Sequence, residues 1–210
     1  MGQQLWLSSS RCMYWEEERA LILSDLHFGK TGHFRKEGIA VPQRAYQEDL
    51  QRLFAATQFF KPERLIVVGD FFHSHFNNEL NLFSKWRNDM PHLTIDLVLG
   101  NHDVLGKRWY ESQHIHVHND ALEKGPFTFV HAPADVKAVA TDRYYFSGHL
   151  HPGVRLQGTG KQSLRFPCFY FTKSQCILPA FGSFTGLAIQ DASAGEKIFA
   201  IVGKEVMEIT

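Results

Sequence analysis

Ile95-Asp-Leu-Val-Leu-Gly-Asn-His-Asp103 decides how this chain folds. Its start is a short apolar run, the length of a buried strand rather than a helix. The run stops on Gly100 and opens into an amide, an imidazole and a carboxylate. The same pattern recurs on both sides. Arg19-Ala-Leu-Ile-Leu-Ser24 runs into Asp25-Leu-His27, and Leu65-Ile-Val-Val68 runs into Gly69-Asp70. Phe127–Val130 runs into His131, and Arg143–Phe146 into Ser147-Gly-His-Leu-His151. Ligands of α/β sheets gather outside the carboxyl ends of the strands. Five polar clusters at five predicted strand ends should therefore converge on one place.

Helices are predicted between the first three of these strands. Pro42 to Phe60 reads as one, with proline near its first turn and Leu50, Leu53, Phe54, Thr57 and Phe60 as its apolar stripe. Pro62 stops it. Asn78 to Met90 reads as another, with Leu82, Phe83 and Trp86 on one face. Strands alternating with helices imply βαβ units and a largely parallel sheet. Gln4–Leu7 and Cys12–Trp15 are short strands ahead of it. In the second half, His114–His118, Phe127–Val130, Arg143–Phe146, Phe166–Phe171, Lys197–Val202 and Val206–Ile209 follow one another with turns between. They predict a second, mixed or antiparallel sheet. The expectation is an α/β fold of two sheets packed face to face with helices outside. The 210 residues fit one domain, 1–210.

Composition narrows the class. Lys and Arg number 22, as do Asp and Glu, so no single sign dominates and a histone-like coat or an acidic tail is excluded. The neutral total hides two basic windows. Residues 26–64 hold seven basic side chains against four acidic ones, and residues 150–190 hold Arg155, Lys161, Arg165 and Lys173 with no acid. Phe166, Phe169, Tyr170 and Phe171 interleave with the second window; they suit a base-stacking platform or, equally, a packed core. Three cysteines without CxxC spacing predict a reduced interior. The N-terminal stretch lacks the basic and apolar regions of a signal peptide, and no apolar run is long enough to span a membrane. The expectation is a cytoplasmic protein with no membrane partner.

The strand-end residues point to metal chemistry. They comprise two Asp, one Asn and four His. One Asp shared as a bridge gives four protein ligands to each of two metals. Carboxylate, imidazole and amide oxygen together suit Mn, Fe, Zn or Ni better than Ca. Asp25 and His27 are two apart, as are His149 and His151, so in extended backbone each pair points one way. Gly69, Gly100 and Gly148 allow close approach of backbone or substrate.

Asp25-Leu-His27, Gly69-Asp70, Gly100-Asn-His-Asp103, His131 and Gly148-His-Leu-His151, in that order, resemble the calcineurin-like metallophosphoesterase superfamily. The resemblance implies a four-layer αββα sandwich of two mixed sheets flanked by helices. It implies that Asp25, His27 and His151 bind one metal, that Asp70 bridges, and that Asn101, His131 and His149 bind the second. The two ions would be divalent, Mn²⁺ first, with Fe, Zn, Ni or Mg as alternatives. It implies metal-assisted phosphoester hydrolysis, with His102 as general acid and Asp103 orienting the imidazole.

Two local features resemble DNA-directed members. His73, three residues after Asp70, is similar to a phosphate-contacting histidine of the double-strand-break repair nucleases. Asp25-Leu-His-Phe-Gly-Lys30-Thr-Gly-His33-Phe-Arg35, with Pro179-Ala-Phe-Gly-Ser-Phe-Thr-Gly186, is similar to the bacterial ligase-associated DNA damage response endonucleases, the PdeM subfamily. This implies DNA as substrate, with a DNA ligase and a helicase as functional partners. Lys30, Arg35, His73 and Arg155 are the candidate substrate contacts. A phosphodiesterase of cyclic nucleotides or dinucleotides is the alternative activity, and a non-catalytic scaffold of the same fold is the third. His33, His75, His92, His114, His116 and His118 match no ligand position. The last three alternate, and are read as a solvated strand face.

Overall fold

A computed structural model describes residues 2–30, 44–73, 78–133, 143–158, 160 and 162–209, without the side chains of 44–46 and 78–79. Arg35, His33 and His75 lie outside the described residues.

The first sheet runs in chain order: β1 (Leu5–Ser8), β2 (Cys12–Trp15), β3 (Ala20–Leu23), β4 (Arg64–Val68), β5 (Thr94–Val98) and β6 (Ile115–His118). β1 to β3 pair antiparallel and β3 to β6 pair parallel. The parallel crossovers use helices α1 (Arg44–Phe60), α2 (Asn78–Asp89) and α3 (Lys107–Ser112). Period-two alternation sends strand residues to two different cores. Leu21, Leu23, Leu65, Val67, Ile95 and Leu97 meet Leu53, Ala56, Phe83, Trp86 and Tyr110 of the helices. Ile22, Ile66, Val68 and Val98 face the other way, onto Phe129, Phe146, Phe169 and Leu178 of the second sheet. Strands buried on both faces read as continuous apolar runs, which is why the sequence shows no alternation there.

The second sheet has nine strands and is mixed. They are β7 (Ala121–Lys124), β8 (Phe127–Val130), β9 (Tyr144–Ser147), β10 (Pro152–Gln157), β11 (Ser163–Phe171), β12 (Gln175–Ile177), β13 (Ala188–Ile189), β14 (Lys197–Val202) and β15 (Glu205–Glu208). Its outer face carries a third cluster around Val154, Cys168, Ile198 and Ala200. A helix layer over that face, the fourth of the expected sandwich, is not among the described residues. None of the described helices is long and apolar enough to cross a membrane. The three cysteines are free and buried.

Two expectations need correction, and one open alternative is decided. The 114–118 strand belongs to the first sheet, not the second: β6 pairs parallel with β5 from Ile95↔Ile115 to Val98↔His118. α3, too short to show a helical period, makes that crossover. Phe54 was assigned to the buried stripe of α1 but is 47% exposed, since Leu53 and Ala56 already fill that face. Of the two readings open for the aromatics of β11, the structure shows the packed core: Phe169 is buried between the sheets, while Phe166 and Tyr170 pack against the outer cluster.

Candidate metal centre

Each candidate ligand follows a strand. Asp25 and His27 follow β3, Asp70 follows β4, and Asn101 follows β5, with the candidate acid His102 next to it. His131 follows β8, and His149 and His151 follow β9. Backbone bonds lace these ends together. Asp25 N donates to Gly69 O (3.1 Å), His27 N to Asp70 O (2.9 Å), and Gly148 N to His131 O (2.9 Å). Both sheets therefore contribute to one place.

The backbone there is unusual. Asp25, His27, Asp70, His149 and His151 all have positive φ, at 52°, 53°, 47°, 68° and 51°. This left-handed conformation costs an L-residue with a side chain about 1–2 kcal/mol. The extended geometry expected for Asp25/His27 and His149/His151 is thus replaced by a left-handed turn at each member of both pairs. Residue spacing alone carries no φ, so nothing in the motif marks these turns. Strain of this kind persists only where surrounding structure enforces it, and it concentrates at functional sites.

The donor atoms fall into two groups. Asp25, His27 and His151 offer ligand atoms all within 4.8 Å of one another; Asp70, His131 and His149 do the same. In the first group His27 Nε2 lies 3.4 Å from His151 Nε2, which is 3.6 Å from Asp25 Oδ1. In the second, His131 Nε2 lies 2.9 Å from Asn101 Oδ1 and 3.1 Å from His149 Nδ1. One atom reaches both: Asp70 Oδ2 is 3.9 Å from His27 Nε2 and 3.7 Å from His131 Nε2. The other Asp70 oxygen accepts His102 N at 2.9 Å, and Asp25 Oδ2 accepts His149 N at 2.9 Å. Each carboxylate thus has one oxygen tied to backbone and one turned inward.

These residues fit cations. Asp25 and Asp70 are buried. Asp25 Oδ1 has no hydrogen-bond partner among the described residues, which for a buried carboxylate oxygen calls for positive charge. Burial, with Lys30, His151, His73 and His102 nearby, pushes the His27 imidazole down to about 2, so the ring is neutral and its lone pair free to coordinate.

The glycines of the motifs make room for ligands rather than for substrate. A Cβ on Gly69 would stand 1.8 Å from His131 Nδ1, on Gly100 2.2 Å from Asp70 Oδ1, and on Gly148 2.5 Å from Asp25 Oδ2.

Around this centre stand other candidate residues. The His102 ring centroid is 4.2 Å from that of His73 and 5.6 Å from that of His27; His73 is 5.4 Å from His27. His73 N donates to Phe28 O at 2.6 Å, which pins it beside the first ligand loop. Asp103 was expected to orient the His102 ring. Its carboxylate accepts Phe72 N (2.8 Å) and Gly100 N (2.9 Å), so it fixes the loop that carries His102. Burial raises Asp103 to about 7 against those two bonds. Burial lowers Lys30, while the charges of Asp70 and Asp25 pull the other way. Arg155 is exposed on β10, directly opposite exposed Arg165 on β11.

Motif reading missed one supporting device. The 179–186 loop lies on the first ligand loop, with Phe181 N bonded to Ser24 O (2.8 Å) and Gly182 N to Asp25 O (3.0 Å). Asp49 of α1, itself buried, holds that loop by accepting Ser183 N (2.9 Å) and Ser183 Oγ (2.6 Å). Arg52 bonds Asp49 and Phe181 O and stacks over the Phe181 ring. The only hint in the sequence is the small-residue run 179–186 itself.

The chain belongs to the calcineurin-like phosphoesterases, whose family profile matches residues 18–150. It is a metal-dependent phosphoesterase. Among solved structures it is similar to the nuclease MPE of Pseudomonas putida, with 29% identity and a TM-score of 0.83 over 99% of this chain and 96% of that one. A looser likeness, on which nothing rests, is to Yfce, a phosphoesterase from E. coli: 13% identity and a TM-score of 0.45 over 90% of this chain and 97% of that one. No curated protein matches the chain.

Proposed function

We propose that this protein is a dinuclear-metal phosphodiesterase that cuts DNA, an endonuclease acting in repair. The observation that carries the reading is the single Asp70 oxygen set between two ligand groups, 3.9 Å from an imidazole of one and 3.7 Å from an imidazole of the other. Asp25, His27 and His151 would hold one ion, Asn101, His131 and His149 the other, and Asp70 both. When bound, two such ions supply Lewis acidity toward a phosphoryl group and a water nucleophile active at neutral pH. The chain's own residues do the rest. His102 holds an imidazole N–H for the leaving oxygen, a proton transfer worth about 10²–10⁴-fold. Asp103 fixes the loop beneath it. His73 and Lys30 meet the phosphate that is cut. Arg35 and Arg155 meet flanking phosphates, where contacts are salt-sensitive.

A polymeric substrate is favoured by the nuclease relative and by the outer ligands, since Asn101 and His149 are exposed and Leu150 between the last two histidines is 39% exposed. We further propose a single domain working in the cytoplasm, loaded with Mn²⁺, alongside a DNA ligase and a helicase. The test is Mn²⁺-dependent cleavage of single- and double-stranded DNA, with cyclic nucleotides and dinucleotides in parallel. Cleavage of DNA is expected. Turnover confined to the small esters would overturn the substrate class, and no turnover of any phosphodiester would overturn the activity.

A further inference from the structure

The β10–β11 hairpin carries two positive charges that nothing in the fold balances. Arg155 and Arg165 are both exposed and are direct register partners across the antiparallel pair. Partners directly opposite stand about 5 Å apart at Cβ, where like charges destabilise a sheet. Arg19, Arg52, Arg64 and Arg143 each meet a carboxylate. Among the described residues Arg155 and Arg165 meet none, and residues 150–190 contain no acid to offer one.

Position gives the pair a use. β10 starts at Pro152, directly after the candidate ligand His151. Its start is anchored there, with Ala188 N donating to His151 O (3.0 Å) and Gln190 N to Gly153 O (2.8 Å). Arg155 is four residues beyond His151, about 13 Å along a strand. Alternation decides which way the pair points. Val154, Leu156 and Phe166 pack in the outer cluster, so Arg155 and Arg165 take the other face. Four residues further along β11, that face buries Phe169 against the first sheet. The hairpin therefore reaches past the sandwich with two guanidiniums on the side of the first sheet, which supplies Asp25, Asp70 and Asn101.

We propose that Arg155 and Arg165 together form a phosphate clamp that grips the backbone of a nucleic-acid strand away from the cut, a role that rests on the DNA reading above. A guanidinium meets a phosphate with two parallel N–H bonds, and two facing forks hold a strand that a single one would let swing. An anion between them also cancels the repulsion that the empty pair carries. The clamp selects for length, because a small phosphoester has no second phosphate to reach it.

Steady-state cleavage of a long thymidine oligonucleotide by the Mn²⁺-loaded full chain, repeated over a range of KCl concentrations, tests this. Arg155→Ala/Arg165→Ala should raise KM about tenfold. It should also flatten the slope of log KM against log salt by about 1.4, at about 0.7 per phosphate contact on a single strand. Arg165→Ala alone should account for about half of that change. Arg155→Lys/Arg165→Lys keeps both charges and should restore most of the slope. Lys173→Ala removes one exposed charge just beyond the other end of β11 and should leave KM and slope as they are. If the wild type cuts DNA and the double alanine variant matches it in KM and salt slope, the clamp is overturned while the substrate reading stands. If the wild type cuts no DNA, the substrate reading falls and the clamp with it.

Discussion

His102 separates binding from chemistry at the scale of one residue. Its main-chain N–H, not its ring, bonds Asp70 Oδ1, so a truncated side chain leaves that carboxylate where it is. His102→Ala should keep both metals and lose about 10²–10⁴-fold in turnover on DNA. It should lose far less on a nitrophenyl diester, whose leaving group needs no proton. Equal losses on both would remove the general acid from the scheme. The two candidate donor clusters were legible in the sequence because their chemistry lies in residue type and order: acid and imidazole at the ends of apolar runs. What type and order do not carry is orientation. The left-handed turns at Asp25, His27, Asp70, His149 and His151 stayed hidden for that reason. So did the grip of Asp103 on two backbone N–H groups, which depends on a loop closing over three residues.

Elements differ in how plainly they announce themselves. β3, β4 and β5 were readable because strands buried on both faces must be apolar throughout. α3 spans only Lys107–Ser112, under two turns, so no period could mark it, and the strand after it was assigned to the wrong sheet. The Asp49 clamp is a contact between α1 and a loop 134 residues later in the chain, beyond any local pattern. It predicts a large effect from a residue that touches no substrate. Asp49→Ala strands Ser183 N and leaves the Arg52 guanidinium without its carboxylate, a loss of about 2–4 kcal/mol from breaking a largely buried charged network. A urea titration should show that loss. Metal affinity should fall as well, because the released loop supports the backbone of Asp25. Unchanged Mn²⁺ affinity would mean the clamp serves stability alone.

At the scale of the molecule, the candidate ligands come from both sheets: Asp25, His27, Asp70 and Asn101 from the first, His131, His149 and His151 from the second. Bound ions would then fasten one sheet to the other and relieve two buried carboxylates. Metal removal should lower the thermal midpoint and Mn²⁺ should restore it. Each tenfold rise in free metal above Kd adds about 1.4 kcal/mol per site, or roughly 3–5 °C for a chain of this size. A midpoint insensitive to chelator would contradict this coupling. The second sheet was less legible than the first. β10, β12 and β13 are short or broken by Pro152 and Gly153, and their partners lie far along the chain.

The left-handed ligand positions set stability against activity. Glycine would relax the backbone at any of them, and at exposed His149 it would cost little beyond the ring contact with His131. His149→Gly should therefore melt no lower than wild type when both are stripped of metal, and lower once both are loaded. A lineage freed from hydrolysing phosphoesters would be expected to drift toward glycine at these turns and grow sturdier as it did so. Histidine and aspartate in them put donor atoms where glycine would have none, at the expense of backbone strain.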